Sequence, residues 1–253
     1  MRSGGPLRGK RVLVTRARDQ AGELIAALES NGAEPLHCPM IETVALSDQG
    51  PLVRALQCAA EYDWLLFTSA NAVRYVSRAV ALRELLGPRV AAIGPATAAA
   101  LRAHGLLVHL QPREHVAEAL LEALGDVTGL RFLFPRAARA RETLPDGLRA
   151  RGGIVDVVTA YVTRAPPGAG ESLRRVFNSG PVDAALFTSA SGVQNAVTLL
   201  GGADAAAALL GEARLVFLGP VAAEAARRLK LRVDEVAERY TSEGLLEALV
   251  RTF

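Results

Sequence analysis

Short apolar runs closed by Thr, Ser, Gly or Pro alternate along this chain with Ala/Leu/Arg stretches in which apolar positions recur every three to four residues. The first kind of segment predicts a buried strand, the second an amphipathic helix packed on it. In the first half this gives strands near 11–15, 64–67, 89–93 and 106–110, and helices at about 19–30, 70–86, 95–104 and 115–124. The second half gives strands near 131–134, 183–187, 214–218 and 231–234, with helices at about 140–151, 190–200, 220–229 and 242–251. Two further extended pieces, 34–42 and 154–163, stand outside this rhythm. Pro35 and Pro39 lack the N–H a central strand needs, so the first piece suits an edge or a connector, and Pro166-Pro-Gly-Ala-Gly170 reads as a loop. Alternation of strand and helix predicts an α/β protein built on doubly wound parallel sheets.

The two halves repeat one another. Arg11-Val-Leu-Val-Thr-Arg-Ala17 returns 120 residues on as Arg131-Phe-Leu-Phe-Pro-Arg-Ala137, and Asp63-Trp-Leu-Leu-Phe-Thr-Ser-Ala70 returns as Asp183-Ala-Ala-Leu-Phe-Thr-Ser-Ala190. Beyond these the offset is 125, pairing Ile93-Gly-Pro95 with Leu218-Gly-Pro220 and Glu118–Leu124 with Glu243–Leu249. A period this long is a duplicated domain-sized unit, since solenoid repeats run roughly 20–50 residues. Two similar lobes facing a shared cleft are therefore expected. The extended pieces occupy equivalent places in the repeat, and as a two-strand connector they would take the chain from one lobe to the other and back. Lobe 1 is then residues 1–37 and 165–253, and lobe 2 residues 38–164.

Composition narrows the class. Half the residues are hydrophobic and mean hydropathy is positive, yet no apolar run nears the ~18 residues of a membrane span. The segment before the first strand is charged and lacks an apolar core, so a secretory leader is not expected and a cytoplasmic location is. Cys38 and Cys58 are the only cysteines, too few for a disulfide framework, and both are expected as buried small hydrophobes. The net charge is +3, and all bases but Lys10 and Lys230 are arginines. Arginine's fork suits carboxylates and phosphates, although a GC-rich or hot-living source produces the same bias. No basic block interleaved with aromatics is present, which argues against nucleic acid, and no membrane partner is implied.

Ligands of open parallel sheets sit beyond the carboxyl ends of the strands, where helix N-termini offer free N–H groups. Thr15-Arg16, Thr68-Ser69-Ala70-Asn71, Gly94-Pro95, Pro135-Arg136, Thr188-Ser189-Ala190-Ser191-Gly192 and Gly219-Pro220 all fall at such turns. Each also serves as an ordinary helix cap or turn. Their recurrence in both halves suits an acidic, multiply charged ligand. Arg16 and Arg136 share one repeat position and could each fork a carboxylate or pair with a nearby acid, with Arg139 and Arg141 crowding the second turn. Tyr161 lies opposite Ile41 in the repeat, so the copies differ there. A phenol at that junction could assist a leaving group, or simply pack. Gly4-Gly-Pro-Leu-Arg-Gly-Lys10 nearly spells a phosphate loop but lacks its Ser/Thr and precedes a strand. His37, His104, His109 and His115 lack metal-ligand spacing, so neither metal nor other cofactor is expected.

Phe67-Thr-Ser-Ala-Asn-Ala-Val73, Ile93-Gly-Pro-Ala-Thr97, Val14-Thr-Arg16, Phe134-Pro-Arg136, Val158-Thr-Ala-Tyr161, Phe187-Thr-Ser-Ala-Ser-Gly-Val193 and Leu218-Gly-Pro220 together resemble the uroporphyrinogen-III synthase family, over nearly the whole chain. The resemblance implies two α/β lobes and cyclisation of the linear tetrapyrrole hydroxymethylbilane with inversion of its last ring and loss of water, without metal or cofactor. It further implies that Tyr161 assists hydroxyl loss. Arg16, Thr68, Ser69, Asn71, Gly94, Arg136, Arg139, Thr188, Ser189, Ser191, Gly192 and Gly219 would then contact a substrate with eight carboxylates. A monomer and a transient contact with the enzyme supplying the bilane complete the expectation. Val221-Ala222 depart from the hydroxyl residues often found after the family's second Gly-Pro turn. A two-lobed, non-catalytic binding protein for an acidic small molecule is the main alternative, though it would be expected to carry an export signal. A two-lobed transferase is the next, though it would be expected to carry an acidic metal motif.

Overall fold

The computed structural model describes residues 5–253; the first four residues, where lobe 1 and the segment read for a leader begin, lie outside the described chain. In chain order come β1 (Arg11–Val14), α1 (Gly22–Ser30), β2 (Glu34–His37), β3 (Glu42–Val44), α2 (Gly50–Gln57), β4 (Trp64–Phe67), α3 (Ala70–Ala79), β5 (Arg89–Ala92), α4 (Pro95–Ala103) and α5 (Ala117–Leu124). Then follow β6 (Arg131–Ala137), α6 (Thr143–Ala150), β7 (Ile154–Arg164), α7 (Ala169–Asn178), β8 (Ala184–Phe187), α8 (Ala190–Leu199), α9 (Ala203–Leu209), β9 (Arg214–Phe217), α10 (Pro220–Arg228), β10 (Glu235–Val236) and α11 (Ser242–Val250). Contacts divide the chain into two compact units, one formed by the chain up to Glu42 with Arg164–Phe253, the other by Thr43–Thr163.

Each unit holds a five-stranded sheet. The order is β10-β9-β8-β1-β2 in the first and β3-β7-β6-β4-β5 in the second. All pairings in the first sheet, and those among β4 to β7 in the second, are parallel. Alternate strand residues bury on opposite faces, as the period of two requires. In the first unit Leu13, Phe187 and Phe217 pack under α7, α8 and α10, while Val12, Leu186 and Val216 face α1 and α11. In the second, Leu65, Phe67 and Leu133 face α2, α3 and α4, while Trp64, Leu66 and Phe132 face α5 and α6. The α/β class and the parallel sheets match the expectation from the sequence.

The two sheets share one register under the repeat offsets. Val12 opposes Ala184 in one and Phe132 opposes Trp64 in the other; Ala184 opposes Arg214 where Trp64 opposes Arg89; Arg11 opposes Glu34 where Arg131 opposes Ile154. Each sheet therefore joins the first two strands of one half, β1 and β2 or β6 and β7, to a later pair from the other, β8 and β9 or β4 and β5. An aspartate seals each junction. Asp183 accepts from the Arg11 N–H at 2.8 Å and Asp63 from the Arg131 N–H at 2.7 Å. Burial works against ionisation of Asp183, but the Arg11 N–H and the Lys10 ammonium at 3.1 Å outweigh it and hold the carboxyl below its ordinary range. A folded pKa lower than the unfolded one gives stability that is present at neutral pH and lost as pH falls through the folded value. Asp183→Ala is expected to cost about 1–2 kcal/mol in urea unfolding at neutral pH, and the deficit should shrink as pH falls below the ordinary carboxylate range. A deficit unchanged with pH would assign the loss to something other than this carboxylate.

Several boundaries depart from the pattern. The extended piece at 34–42 divides into β2 at the edge of one sheet and β3 at the edge of the other. Glu34 and Cys38 donate to Lys10 and Val14, so the alternate position, Pro35, points its missing N–H away from the sheet and costs no bond. The strand expected at 106–110 reduces to one bridge, Ala91 to Leu110, because the His109 ring takes the Val90 N–H at 3.0 Å. The strand expected at 231–234 is displaced to β10. Lys230, with φ of 61°, and Leu231 close α10, and the Asp234 carboxylate takes the Leu215 N–H at 2.7 Å. Three helices lay hidden. α2 is entered through Pro51 and α7 directly after the Pro-Pro-Gly expected as a loop, and alanine-rich α9 offers no apolar contrast. The helix expected over 70–86 ends at Ala79, where Val80 turns extended. Cys58 is exposed, not buried, because it caps the C-terminus of α2; Cys38 is buried.

Candidate functional site

In the second unit the carboxyl ends of β4 to β7 gather most of the chemistry. Ser69, extended at φ −155°, caps α3 by accepting the Ala72 N–H at 3.1 Å. Its Oγ also lies 3.1 Å from the Tyr161 hydroxyl. Tyr161 reaches that position through a bulge. Arg136 opposes Thr159 but Ala137 opposes Tyr161, so one residue is skipped and both Ala160 and Tyr161 pack with Val158 toward α3. Regular alternation would have sent the phenol to the other face of the sheet, where Val155 and Val157 pack. The Tyr161 ring stacks on that of Tyr75 in α3, with centroids 5.2 Å apart and planes 14° from parallel.

A cavity of about 280 Å³, on the side of the sheet where Phe134 and Leu144 pack and lined by neither tyrosine, is bounded by Thr68, Ile93, His115, Glu118, Phe134 and Arg141, among others. Gly94 caps α4 without a side chain. Pro95 has no N–H and Ala98 already bonds Gly94, which leaves the N–H groups of the first turn for other partners. Arg136 is tied to its own loop: it bonds Glu142 Oε1 at 2.5 Å and Arg141 O at 3.1 Å, so pairing with a nearby acid is realised here. Arg139 is exposed and makes no ion pair among the described residues. Asn71 is half-buried in the first turn of α3.

The first unit repeats the arrangement without the phenols. Ser189 caps α8 through the Gly192 N–H at 3.0 Å, so that N–H is spent, while Ser191 is exposed and Thr188 half-buried. Gly219 caps α10, with the exposed ring of Tyr240 against it. Arg16 donates to Ser242 Oγ at 3.0 Å, and its carbonyl accepts from His37 Nε2 at 3.1 Å. Thr15 is structural: buried, it donates to Leu186 O at 2.7 Å. A second cavity of about 370 Å³ is lined by Arg18, His37, Cys38 and Glu42, among others. Burial, against the opposing charge of Arg175, pushes the Cys38 thiol up to about 11, so it stays protonated and is no nucleophile near neutral pH. Among the described residues no three His, Cys, Asp or Glu side chains converge as metal ligands, and no helix is long and apolar enough to cross a membrane.

Tyr75, His115 and Tyr240 escape a reading of the sequence one motif at a time. The repeat offers the missing signal for all three: Tyr75 stands opposite Asn195, another place where the copies differ, and His115 and Tyr240 are equivalent ring positions against Gly94 and Gly219.

Comparison with known proteins gives one consistent answer. The family model described as uroporphyrinogen-III synthase HemD matches residues 22–247. A uroporphyrinogen-III synthase of Synechococcus elongatus is 33% identical over 253 residues, 96% of each chain. A putative uroporphyrinogen-III synthase of Methanothermobacter thermautotrophicus is 32% identical over 248 residues, covering 93% of this chain and 96% of that one. A crystal structure of a mutant uroporphyrinogen III synthase from the extremely thermophilic bacterium Thermus thermophilus shares the fold, with a TM-score of 0.70 at 22% identity over 96% of this chain and 98% of that one.

Proposed function

The chain belongs to the uroporphyrinogen-III synthase family, and we propose that the Tyr161 phenol, held against Ser69, assists the reaction at the rim of the second unit. The reaction cyclises hydroxymethylbilane to uroporphyrinogen III. Its chemical demand is modest. The terminal hydroxyl must leave as water, and the electron-poor azafulvene that results must be met at the substituted carbon of the last ring rather than at the carbon that spontaneous closure uses. Positioning therefore carries most of the selectivity, and one mild acid suffices.

The hydrogen bond between Ser69 and Tyr161 is the observation that supports this role. The Ser69 oxygen is already an acceptor for the Ala72 N–H, so its own hydrogen is available to the phenol oxygen. As the phenol gives its proton to the departing hydroxyl, that hydrogen and the positive end of α3 meet the developing charge. Attack at the substituted carbon makes a quaternary centre with no hydrogen to lose, so the bond from that carbon to its original methylene bridge breaks and re-forms at the free α-carbon of the same ring, which inverts the ring. The proton that this carbon sheds as the ring regains aromaticity restores the phenol, so bonds and protons balance over one turnover. Thr68, Asn71, Gly94 and Arg139 in one unit, with Arg16, Thr188, Ser189, Ser191 and Gly219 in the other, are proposed carboxylate contacts, mainly through helix N-termini. For Gly192 and Arg136 the role is indirect, because the first spends its N–H on the cap of Ser189 and the second holds its own loop. The two units are proposed as the two lobes, and the protein is proposed to work in the cytoplasm. A substrate that closes spontaneously favours a brief hand-over from the enzyme that makes it.

The test generates hydroxymethylbilane in situ, adds the protein with a chelator present, oxidises the products and resolves the isomers. The expected result is type III above the spontaneous background. Type I alone from folded protein would overturn the proposal.

A further inference from the structure

Resting on the reading of Tyr161 as the acid, we infer that Tyr75 is a positioning residue that sets the plane of the Tyr161 ring and so the direction of its hydroxyl. Tyr75 is itself held at both ends. Its hydroxyl donates to the Thr43 carbonyl and lies 3.1 Å from Thr43 Oγ1, and Arg74 donates to the same Oγ1 at 2.6 Å. The guanidinium carbons of Arg74 and Arg78 lie 5.3 Å from its ring centre. Both rings of the stack are buried, Tyr75 4% and Tyr161 7% exposed, so neither swings freely.

The repeat separates the two tasks this side chain could have. Its equivalent in the first unit, Asn195, donates to the Met40 carbonyl at 2.8 Å. Tying α8 or α3 to the neighbouring extended segment thus needs only one donor, and an asparagine supplies it. The serine cap is likewise common to both units. What the second unit adds at this serine cap is a pair of stacked rings: Tyr161 where the other half has Ile41, and Tyr75 where it has Asn195. The two departures from symmetry touch each other, and one bears the reacting hydroxyl. A ring at 75 is accounted for by the ring at 161. Offset stacking fixes both tilt and distance, which an aliphatic neighbour does not.

The test is a kinetic double-mutant cycle on the full chain. Tyr75→Leu, which removes the stack, is expected to lower kcat about 10-fold with KM within about twofold, and Tyr75→Phe, which keeps the ring, to recover most of that. In a Tyr161→Phe background Tyr75→Leu should cost less than about twofold more, because nothing is left to orient. Equal losses in both backgrounds, or wild-type kcat in both Tyr75 variants, would overturn the inference. Undiminished turnover in Tyr161→Phe alone would instead overturn the acid role on which it rests. Should Tyr75→Leu fail to fold, Tyr75→Phe carries the same cycle with a loss of about threefold, since it keeps the core's shape and frees only the hydroxyl from Thr43.

Discussion

Tyr161→Phe is expected to lower turnover about 100-fold, the lower range for loss of a positioned general acid, while KM stays within about twofold. The substitution removes one oxygen and leaves the packing. The ring keeps its stack on Tyr75 and its place among Val158 and Ala160, so unfolding should shift by no more than about 1 kcal/mol, the worth of the bond to Ser69. A loss confined to kcat marks an interaction made only on the way to the transition state, whereas a contact with the resting substrate would raise KM. The product should change as well. Spontaneous closure runs at its own rate whatever the enzyme does, so slower hydroxyl loss on the protein lets type I product take a larger share. Stopped-time assays with isomer separation measure both effects. Turnover equal to wild type would take the phenol out of the reaction and leave positioning alone to explain the type III outcome.

The fold was legible because its strands carry the strongest pattern a sequence can show. Leu65-Leu66-Phe67 and Leu186-Phe187 are buried on both faces, as strands of a covered parallel sheet are, and Thr-Ser after each run signals the turn into a helix. The repeat carried further than propensity did, since offsets read from short motifs reproduce the pairing register of both sheets. What escaped were elements whose signal is carried by side chains acting on backbone. His109 and Asp234 take the N–H of a neighbouring strand and so shorten the edge, an effect no hydropathy pattern encodes. The helices entered through Pro51 and Pro166-Pro-Gly168 were masked by residues that break a helix inside but start one at its end. At the site, Ser69 and Tyr161 could be named from the chain, but their contact depends on the bulge at 159–161, and a bulge is set by pairing, not by composition. Arg136 shows the limit from the other side: its repeat position allowed a ligand fork or a pair with a nearby acid, and only the folded loop shows that Glu142, six residues on, is in reach.

Phe187→Ala is expected to cost about 3–5 kcal/mol, the range for emptying an aromatic site in a closed core. Phe187 is fully buried in β8, the central strand of the first unit, and stacks on Phe217 of β9 with centroids 5.4 Å apart and planes at 16°. Strands on both sides and α7, α8 and α10 above leave the hole no cheap way to collapse, so both the transfer term and the cavity term are lost in full. Against a net stability of about 5–15 kcal/mol for an ordinary domain, this is a large share, and the thermal midpoint should fall by about 10 °C. Phe187→Leu, which refills most of the volume, should cost less than about 1.5 kcal/mol. A shift below about 1 kcal/mol for the alanine variant would mean the two rings do not share a closed core. The functional consequence follows from chain order, because Thr188 and Ser189 are the next two residues and Ser189 caps α8. A strand that loses its anchor at its last residue loosens the cap beyond it. Below its transition the alanine variant should therefore still make type III product but bind the bilane more weakly, a rise in KM that the leucine variant largely reverses.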